Sequence, residues 1–179
     1  VCRAMIDARY LILLLSNIAL IACTQLVNHG LSSTGISITP YGLLVVFPAI
    51  HLPVFPAFAI AFVSGLWIDA GHPSNPAVFV YALPLLTYLA LRLRIKLQRE
   101  NRFHGLLLAQ ALNGLLIFAL ALSFGFAHGA SPVYWTRIAV DFAVSQLVLL
   151  LVTRWFFEFQ YSMLRLAGIE ILEDELETL

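Results

Sequence analysis

The residues from Pro40 to Arg102 decide how this chain folds. They begin PYGLLVVFPAIHLP (40–53), continue through an almost wholly apolar run that ends GLWID (65–69), and then enter a Gly/Pro/Ser/Asn turn. A second apolar run, 77–91, leads into five basic residues: Arg92, Arg94, Lys96, Arg99 and Arg102. Asp69 ends a helix of membrane length. A bare charge in hydrocarbon costs roughly 2.5–3.5 kcal/mol on insertion scales, so this carboxylate must be solvated or paired.

The composition of the whole chain indicates that it folds in lipid. Of its 179 residues, 61% are hydrophobic and 11% are charged. Soluble domains average about 45–50% apolar and about 25% charged residues. Because a membrane span needs about 20 residues, the chain has room for five or six spans and none for a soluble domain. We therefore predict an all-α membrane protein, a polytopic bundle of about six transmembrane helices.

The apolar runs place these helices in a single transmembrane domain, residues 1–165, followed by an acidic tail, 166–179. We expect the helices at about 8–27, 41–52, 56–70, 77–93, 103–126 and 136–157. The second is the shortest, about 18 Å long at 1.5 Å per residue. It carries Pro48 and is followed by Pro53. It either borrows residues 35–39 to reach membrane length, or it is thin or broken.

The distribution of charge favours a topology with both termini in the cytoplasm. With six spans, nine of the ten Lys and Arg residues lie on or near the cytoplasmic side, and Arg137 is the exception. If the short second segment did not cross, the basic loop after the fourth helix would face outward, against the positive-inside rule. The second segment is therefore predicted to cross the membrane. Asp69, Arg137 and Asp141 then lie toward the outer face.

The first candidate residues for partner docking, or for structure alone, lie on the third helix. They follow one another at intervals of four residues: Ala57, Ala61, Gly65 and Asp69. Three small residues on one face let a second helix approach closely, which is how helices associate in lipid. Asp69 has two interpretations of equal weight. It is either a docking or ion-pair residue, or an interfacial carboxylate that meets water or caps the following turn.

Three polar residues in later helices complete the candidates. Asn113 lies in the middle of the fifth helix and is expected to form an interhelical hydrogen bond of structural importance. Arg137 and Asp141 are four residues apart, so they can meet on one helical face as a self-contained interfacial ion pair. An ion pair between Arg137 and Asp69 is a further hypothesis.

The sequence carries no motif of catalysis that we recognise. It has no nucleophile elbow, no phosphate loop, no HExxH and no paired carboxylates beside a base. Three histidines fall in outer connections, but at spacings that are not typical of a metal site: His29, His72 and His128. We predict neither an enzyme nor a bound metal or cofactor, and no nucleic-acid partner. The basic loop is expected to contact anionic lipid headgroups.

Residues 39 to 105 resemble the rod-shape-determining MreD family of bacterial inner-membrane proteins. The resemblance lies in Pro40 opening a short second helix, the turn at Leu52-Pro53, a third helix ending FVSGLWID (62–69), and TYL (87–89) before a basic loop. Gly65 and Asp69 match the family's motif, and a binding role for them is a hypothesis. The family usually has a further glycine after the aspartate, where this chain has Pro76-Ala77.

The resemblance implies a non-enzymatic, multi-pass component of the bacterial inner (plasma) membrane. Such a protein belongs to the cell-elongation (rod) complex and helps to maintain cell shape by scaffolding peptidoglycan synthesis. The implied partners are membrane lipid, an MreC-like single-span protein, an MreB-type filament and wall-synthesis enzymes.

A second interpretation is the substrate-binding S component of an energy-coupling-factor transporter for a vitamin or other small molecule. Those proteins have a similar length and six-span plan. Such a site needs polar or aromatic groups that converge in the outer half of the bundle. The chain could supply Asn28, Asp69, His72, Trp135 and Asp141. We favour the scaffold interpretation.

Overall fold

A computed structural model describes residues 8–71, 77–97, 103–128 and 131–168 of the chain. These residues form one short 3₁₀ turn (Ser32–Thr34) and six α-helices: α1 (Ala8–Leu31), α2 (Leu43–His51), α3 (Val54–Ala70), α4 (Val78–Leu97), α5 (Phe103–His128) and α6 (Pro132–Leu166). No β-strand occurs within these ranges. The predicted all-α fold is therefore confirmed. The predicted acidic tail falls almost wholly on 169–179, outside the described residues.

Three of the helices, α1, α5 and α6, are long and apolar enough to cross a membrane. α3 is a shorter apolar helix of 17 residues. The long helices present large apolar side chains on the molecular surface, as on α6, where Leu147, Leu150 and Leu151 are all more than half exposed. A continuous exposed apolar surface of this kind is unfavourable in water and suits lipid. These long apolar helices and this surface are consistent with a membrane protein.

α2 lies at the centre of the other five helices. These form a closed ring in which each packs against the next, in the order α1, α3, α4, α5, α6 and back to α1. α2 contacts α3, α4, α5 and α6, and a side chain of α1 also reaches it. Every residue from Pro40 to Ala49 is buried. The side chains of α2 thus form the core, packed with Ile21, Leu83, Leu112 and Leu149 of the surrounding helices.

α2 is preceded by non-helical backbone and ends before Pro53. Residues 36–40 are non-helical, and Tyr41 and Gly42 form a turn before the helix begins. At the other end Leu52 is extended, with φ −114° and ψ 156°, because the ring of Pro53 disfavours helical backbone at the preceding residue. The nine residues of α2 are about 14 Å long at 1.5 Å per residue. The second helix is therefore short, and the backbone before it is irregular.

α6 is longer at both ends than the prediction of 136–157. It begins at Pro132 because the Ser131 hydroxyl caps it, accepting the Tyr134 N–H at 3.3 Å, and because proline suits the first helical turn. It continues to Leu166 because Gln160 and Leu164 remain buried against the bundle. The prediction stopped at the aromatic residues and missed both signals.

Candidate functional site

The backbone of the central segment, defined here as Ile36–His51, depends on side chains from other helices. Its first residues are non-helical, so their N–H groups have no partner within a helix, and buried N–H groups require one. An Asp141 carboxylate oxygen accepts the Ser37 N–H at 2.9 Å, and the Ser145 hydroxyl accepts the Thr39 N–H at 3.0 Å. Two α6 residues one helical turn apart thus hold alternate residues of the segment.

Asn28 of α1 holds the residue between them. Its side-chain oxygen accepts the Ile38 N–H, and its side-chain NH2 donates to the Ile38 carbonyl, both at 2.8 Å. The amide therefore pairs with Ile38 as a neighbouring β-strand would. Side chains of α1 and α6 thus bind successive residues of this non-helical backbone.

Asn113 of α5 meets the start of α2. Its side-chain oxygen accepts the Gly42 N–H at 3.0 Å, which is the interhelical hydrogen bond expected of this residue. A Cβ at Gly42 would lie 2.6 Å from the Asn113 backbone nitrogen and 2.7 Å from its Cα. Only glycine allows α2 and α5 to approach so closely.

Pro48 creates a free carbonyl in the middle of α2, and Asn17 of α1 binds it. A proline has no N–H, so the carbonyl four residues earlier, that of Leu44, loses its usual donor. The Asn17 side-chain NH2 donates to this Leu44 oxygen at 3.0 Å and lies 3.4 Å from the Ser64 hydroxyl. Asn17, Ser64 and Leu44 are all fully buried. The helix break is therefore compensated inside the bundle.

Arg94 of α4 closes the other end of the central segment. The last carbonyls of a helix have no partner within it. One guanidinium nitrogen of Arg94 donates to both the Ala49 and Leu52 carbonyls, each at 3.2 Å. His51, the last residue of α2, lies 2.7 Å from the Tyr161 hydroxyl of α6. Side chains from α4 and α6 thus fix this end of the central segment.

Gly65 and Asp69 join α3 to α4. The two Asp69 carboxylate oxygens accept the N–H groups of Phe79 and Val80, at 3.2 and 2.8 Å. These N–H groups belong to the first turn of α4, where no helical partner exists and negative charge is favoured. A Cβ on Gly65 would lie 2.5 Å from the Phe79 carbonyl oxygen. The carboxylate therefore caps the following helix, and the glycine one turn earlier lets that helix come close.

Ala57 and Ala61, the other members of the stripe, are buried. Ala57 packs in a cluster with Leu13, Phe47 and Leu164, and Ala61 belongs to the main core around α2. The stripe thus faces other helices of this chain along its whole length.

Arg137 and Asp141 lie beside each other, with 4.0 Å between the Arg137 Nε and an Asp141 carboxylate oxygen. The Arg137 side chain is 64% exposed and that of Asp141 is 16% exposed. Such exposed pairs contribute little to stability, so the principal contact of Asp141 is with Ser37. Arg137 and Asp69 are both described by the structure, and they do not form an ion pair. Asp69 instead binds the start of α4.

Several residues of this network, among them Asn17, Ser145 and Arg94, were not predicted from the sequence to contact the central segment. Asn17 had a signal, because an amide within an apolar span needs a partner, and Pro48 in turn leaves a carbonyl that needs a donor. For Ser145 and Arg94 the sequence carries no specific signal of these contacts. Within the described ranges no group of three or more His, Cys, Asp or Glu converges as a metal site would require. The arrangement is built to hold backbone in place.

Comparison of the chain with protein-family models, with curated proteins and with solved structures gave no match.

Proposed function

We propose that this protein is a non-enzymatic scaffold of the bacterial inner membrane, an MreD-like component of the complex that builds the cell wall during elongation. Its partners in this proposal are an MreC-like single-span protein, an MreB-type filament and wall-synthesis enzymes. The protein maintains cell shape by holding these partners together.

The observation that carries the proposal is the joint between α3 and α4. The residues that resemble the family's motif, Gly65 and Asp69, lie on one helix and both contact the first turn of the next. Pro40 and the turn at Leu52-Pro53, which also resemble the family, lie before and after α2, and this pair of helices packs against α2. The resemblance therefore coincides with one packed unit, α2 to α4. A rigid unit of this kind suits a scaffold.

The polar groups that a vitamin-binding S component would need are engaged with backbone. Asn28 and Asp141 bind Ile38 and Ser37, and Asp69 binds the start of α4. Trp135 is exposed on the surface, and His72 lies outside the described residues. A ligand would have to displace the central segment to reach the first two. This distribution favours the scaffold.

The topology that we propose has six crossings and both termini in the cytoplasm. α2 alone is too short to cross a hydrocarbon core of about 30 Å. Residues 36–40 add up to about 16 Å at the 3.3 Å per residue of extended backbone, and α2 adds about 14 Å. With the turn between them, the central segment has the length of one crossing. Its irregular half is buried at Ile38 and Pro40 and partly buried at the other three residues, and irregular backbone is tolerated at membrane depth where it is buried in protein.

Reporter fusions test the topology. A periplasm-active reporter fused after Gly71 should be active, and the same reporter fused after Gln98 should be inactive. Equal activity of the two fusions would contradict a crossing by α4. A fusion after Ser33 that matches the one after Gln98, rather than the one after Gly71, would contradict a crossing by the central segment.

Purification from the native cell in a gentle detergent tests the function. We expect a single-span coiled-coil protein and wall-synthesis enzymes to co-purify. The Gly65→Leu variant, which separates α3 from α4, should lose them, and the exposed-site variant Arg154→Ala should keep them. Recovery of ATPases with a second polytopic subunit would overturn the scaffold proposal in favour of a transporter.

A further inference from the structure

Gln160 of α6 is a fully buried amide in apolar surroundings. Its relative exposure is 0%, and it lies on the packed face of α6 between Phe156 and Leu164. Phe156 belongs to the main core around α2. Leu164 belongs to a second cluster with Leu13 of α1, Phe47 of α2 and Ile60 of α3. Gln160 thus lies where two hydrophobic clusters meet.

Neither polar atom of the Gln160 side chain has a hydrogen-bond partner among the described residues. A primary amide offers two donors and one acceptor with two lone pairs. A buried polar group without partners is costly, and native proteins satisfy nearly all such groups with protein or with bound water. The same condition holds for the side-chain oxygen of Asn17, which is also fully buried on the neighbouring helix α1.

We propose that the Gln160 amide binds buried water, and that this end of the bundle has an internal hydration site between α6, α1 and α2. Water is the ligand that fits, because it donates and accepts at the same site and typically makes about three hydrogen bonds to buried polar groups. The next residue, Tyr161, is 44% exposed and contacts His51. The site is therefore one residue along α6 from an exposed side chain. This inference does not depend on the proposed function.

Water-edited solid-state NMR of the full chain in lipid bilayers tests the site directly. The Gln160 side-chain amide signal is assigned by its loss in the Gln160→Met variant. Rapid transfer of magnetisation from water to that amide is the expected result. The slow transfer seen for dry core groups, such as the methyl groups of Leu149, would overturn the proposal.

The thermal stability of Gln160→Met gives an independent readout. Methionine keeps the length of the side chain and removes its polar atoms. If the amide is hydrated, the variant loses those hydrogen bonds and Tm should fall by roughly 3–8 °C. Leu164→Met, four residues along the same buried face, controls for placing methionine in this cluster. A Tm that rises in Gln160→Met, relative to this control, would mean that the amide is unsatisfied, and would also overturn the proposal.

Discussion

α2 and α6 are both apolar helices, but they occupy opposite environments. α2 has nine residues, and the seven from Leu43 to Ala49 are all buried. α6 has 35 residues, and large side chains such as Trp155 are mostly exposed. At 1.5 Å per residue α6 is about 52 Å long, well beyond a hydrocarbon core of about 30 Å. The shorter helix is enclosed in the core of the protein, whereas the longer one packs one face against the core and exposes the other.

The difference shows how length and burial are related when the solvent is lipid. A helix that faces lipid must satisfy its own backbone over the full membrane thickness, so it has to be long and regular. A helix enclosed by other helices can be short and broken, because neighbouring side chains form hydrogen bonds with backbone N–H and C=O groups that have no partner within the helix. Asn17, Asn113 and Arg94 do this for α2. On α6 the exposed charged side chains Arg154 and Glu158 instead pair with each other at 3.2 Å.

The largest expected effect is the contrast between Leu44→Ala on α2 and Leu150→Ala on α6. Leu44 is fully buried and Leu150 is 53% exposed. Removing a buried leucine side chain costs about 2–5 kcal/mol of unfolding free energy, because a cavity remains. Loss of Leu150 leaves a surface that lipid can fill, so we expect little change. Reversible unfolding in mixed micelles measures both variants. Equal losses of unfolding free energy in the two variants would contradict the assignment of α2 to the core and of Leu150 to the surface.

The next effect concerns the close approach of α2 to α5. Gly42→Ala places a Cβ within 2.7 Å of Asn113 backbone atoms. Overpacking of this kind costs about 1–3 kcal/mol. Gly30→Ala is the matched control, because a Cβ there meets nothing within 4 Å, and we expect it to be neutral or slightly stabilising. The same unfolding measurement applies. If both alanines are tolerated alike, α2 is not held against α5.

Arg94→Ala should have an intermediate effect at the other end of the central segment. It removes the donor to the carbonyls of Ala49 in α2 and of Leu52 just after it, and hydrogen bonds that involve charged groups make a net contribution of about 1.5–3 kcal/mol. Because Arg94 is only partly buried, we expect a loss of about 1 kcal/mol. Arg92→Ala is the control, since its Nε donates to the exposed Tyr88 hydroxyl. Equal stability of the two variants would argue against a cap by Arg94.

The smallest effect is expected for Arg137→Ala. Its distance from Asp141 is 4.0 Å and its side chain is 64% exposed, so the loss should stay within about 0.5 kcal/mol. Asp141→Ala should cost more than Arg137→Ala, because it also leaves the Ser37 N–H without its acceptor. A reversed order would mean that the ion pair, rather than the contact with the central segment, is the important role of Asp141.

The number and type of helices could be predicted from the sequence, because apolar runs separated by Gly, Pro and charged residues mark them. The close packing at Gly65 was also predictable, since small residues at intervals of four allow helices to approach. The central position of α2 was not. Hydropathy reports how apolar a segment is, and α2 is as apolar as segments that face lipid.

The partners of the polar side chains were predictable only in part. Asn113 was expected to bond to another helix, but the sequence could not name Gly42. For Asp69 the sequence left docking and capping open, because both need a carboxylate at a helix end. The contacts of Asp141 and Ser145 with residues 37 and 39 join positions more than 100 residues apart. No local pattern in the sequence carries such a pairing.

The most direct test of this account is the lipid exposure of α2 in the unmodified protein. Methyl NMR in lipid nanodiscs that contain a spin-labelled lipid measures it, because signals near the lipid tails broaden. We predict that the methyl signals of Leu43, Leu44, Val45 and Val46 stay sharp, while those of Leu147, Leu150 and Leu151 broaden. Broadening along one face of α2 would place that helix at the lipid surface and contradict the account.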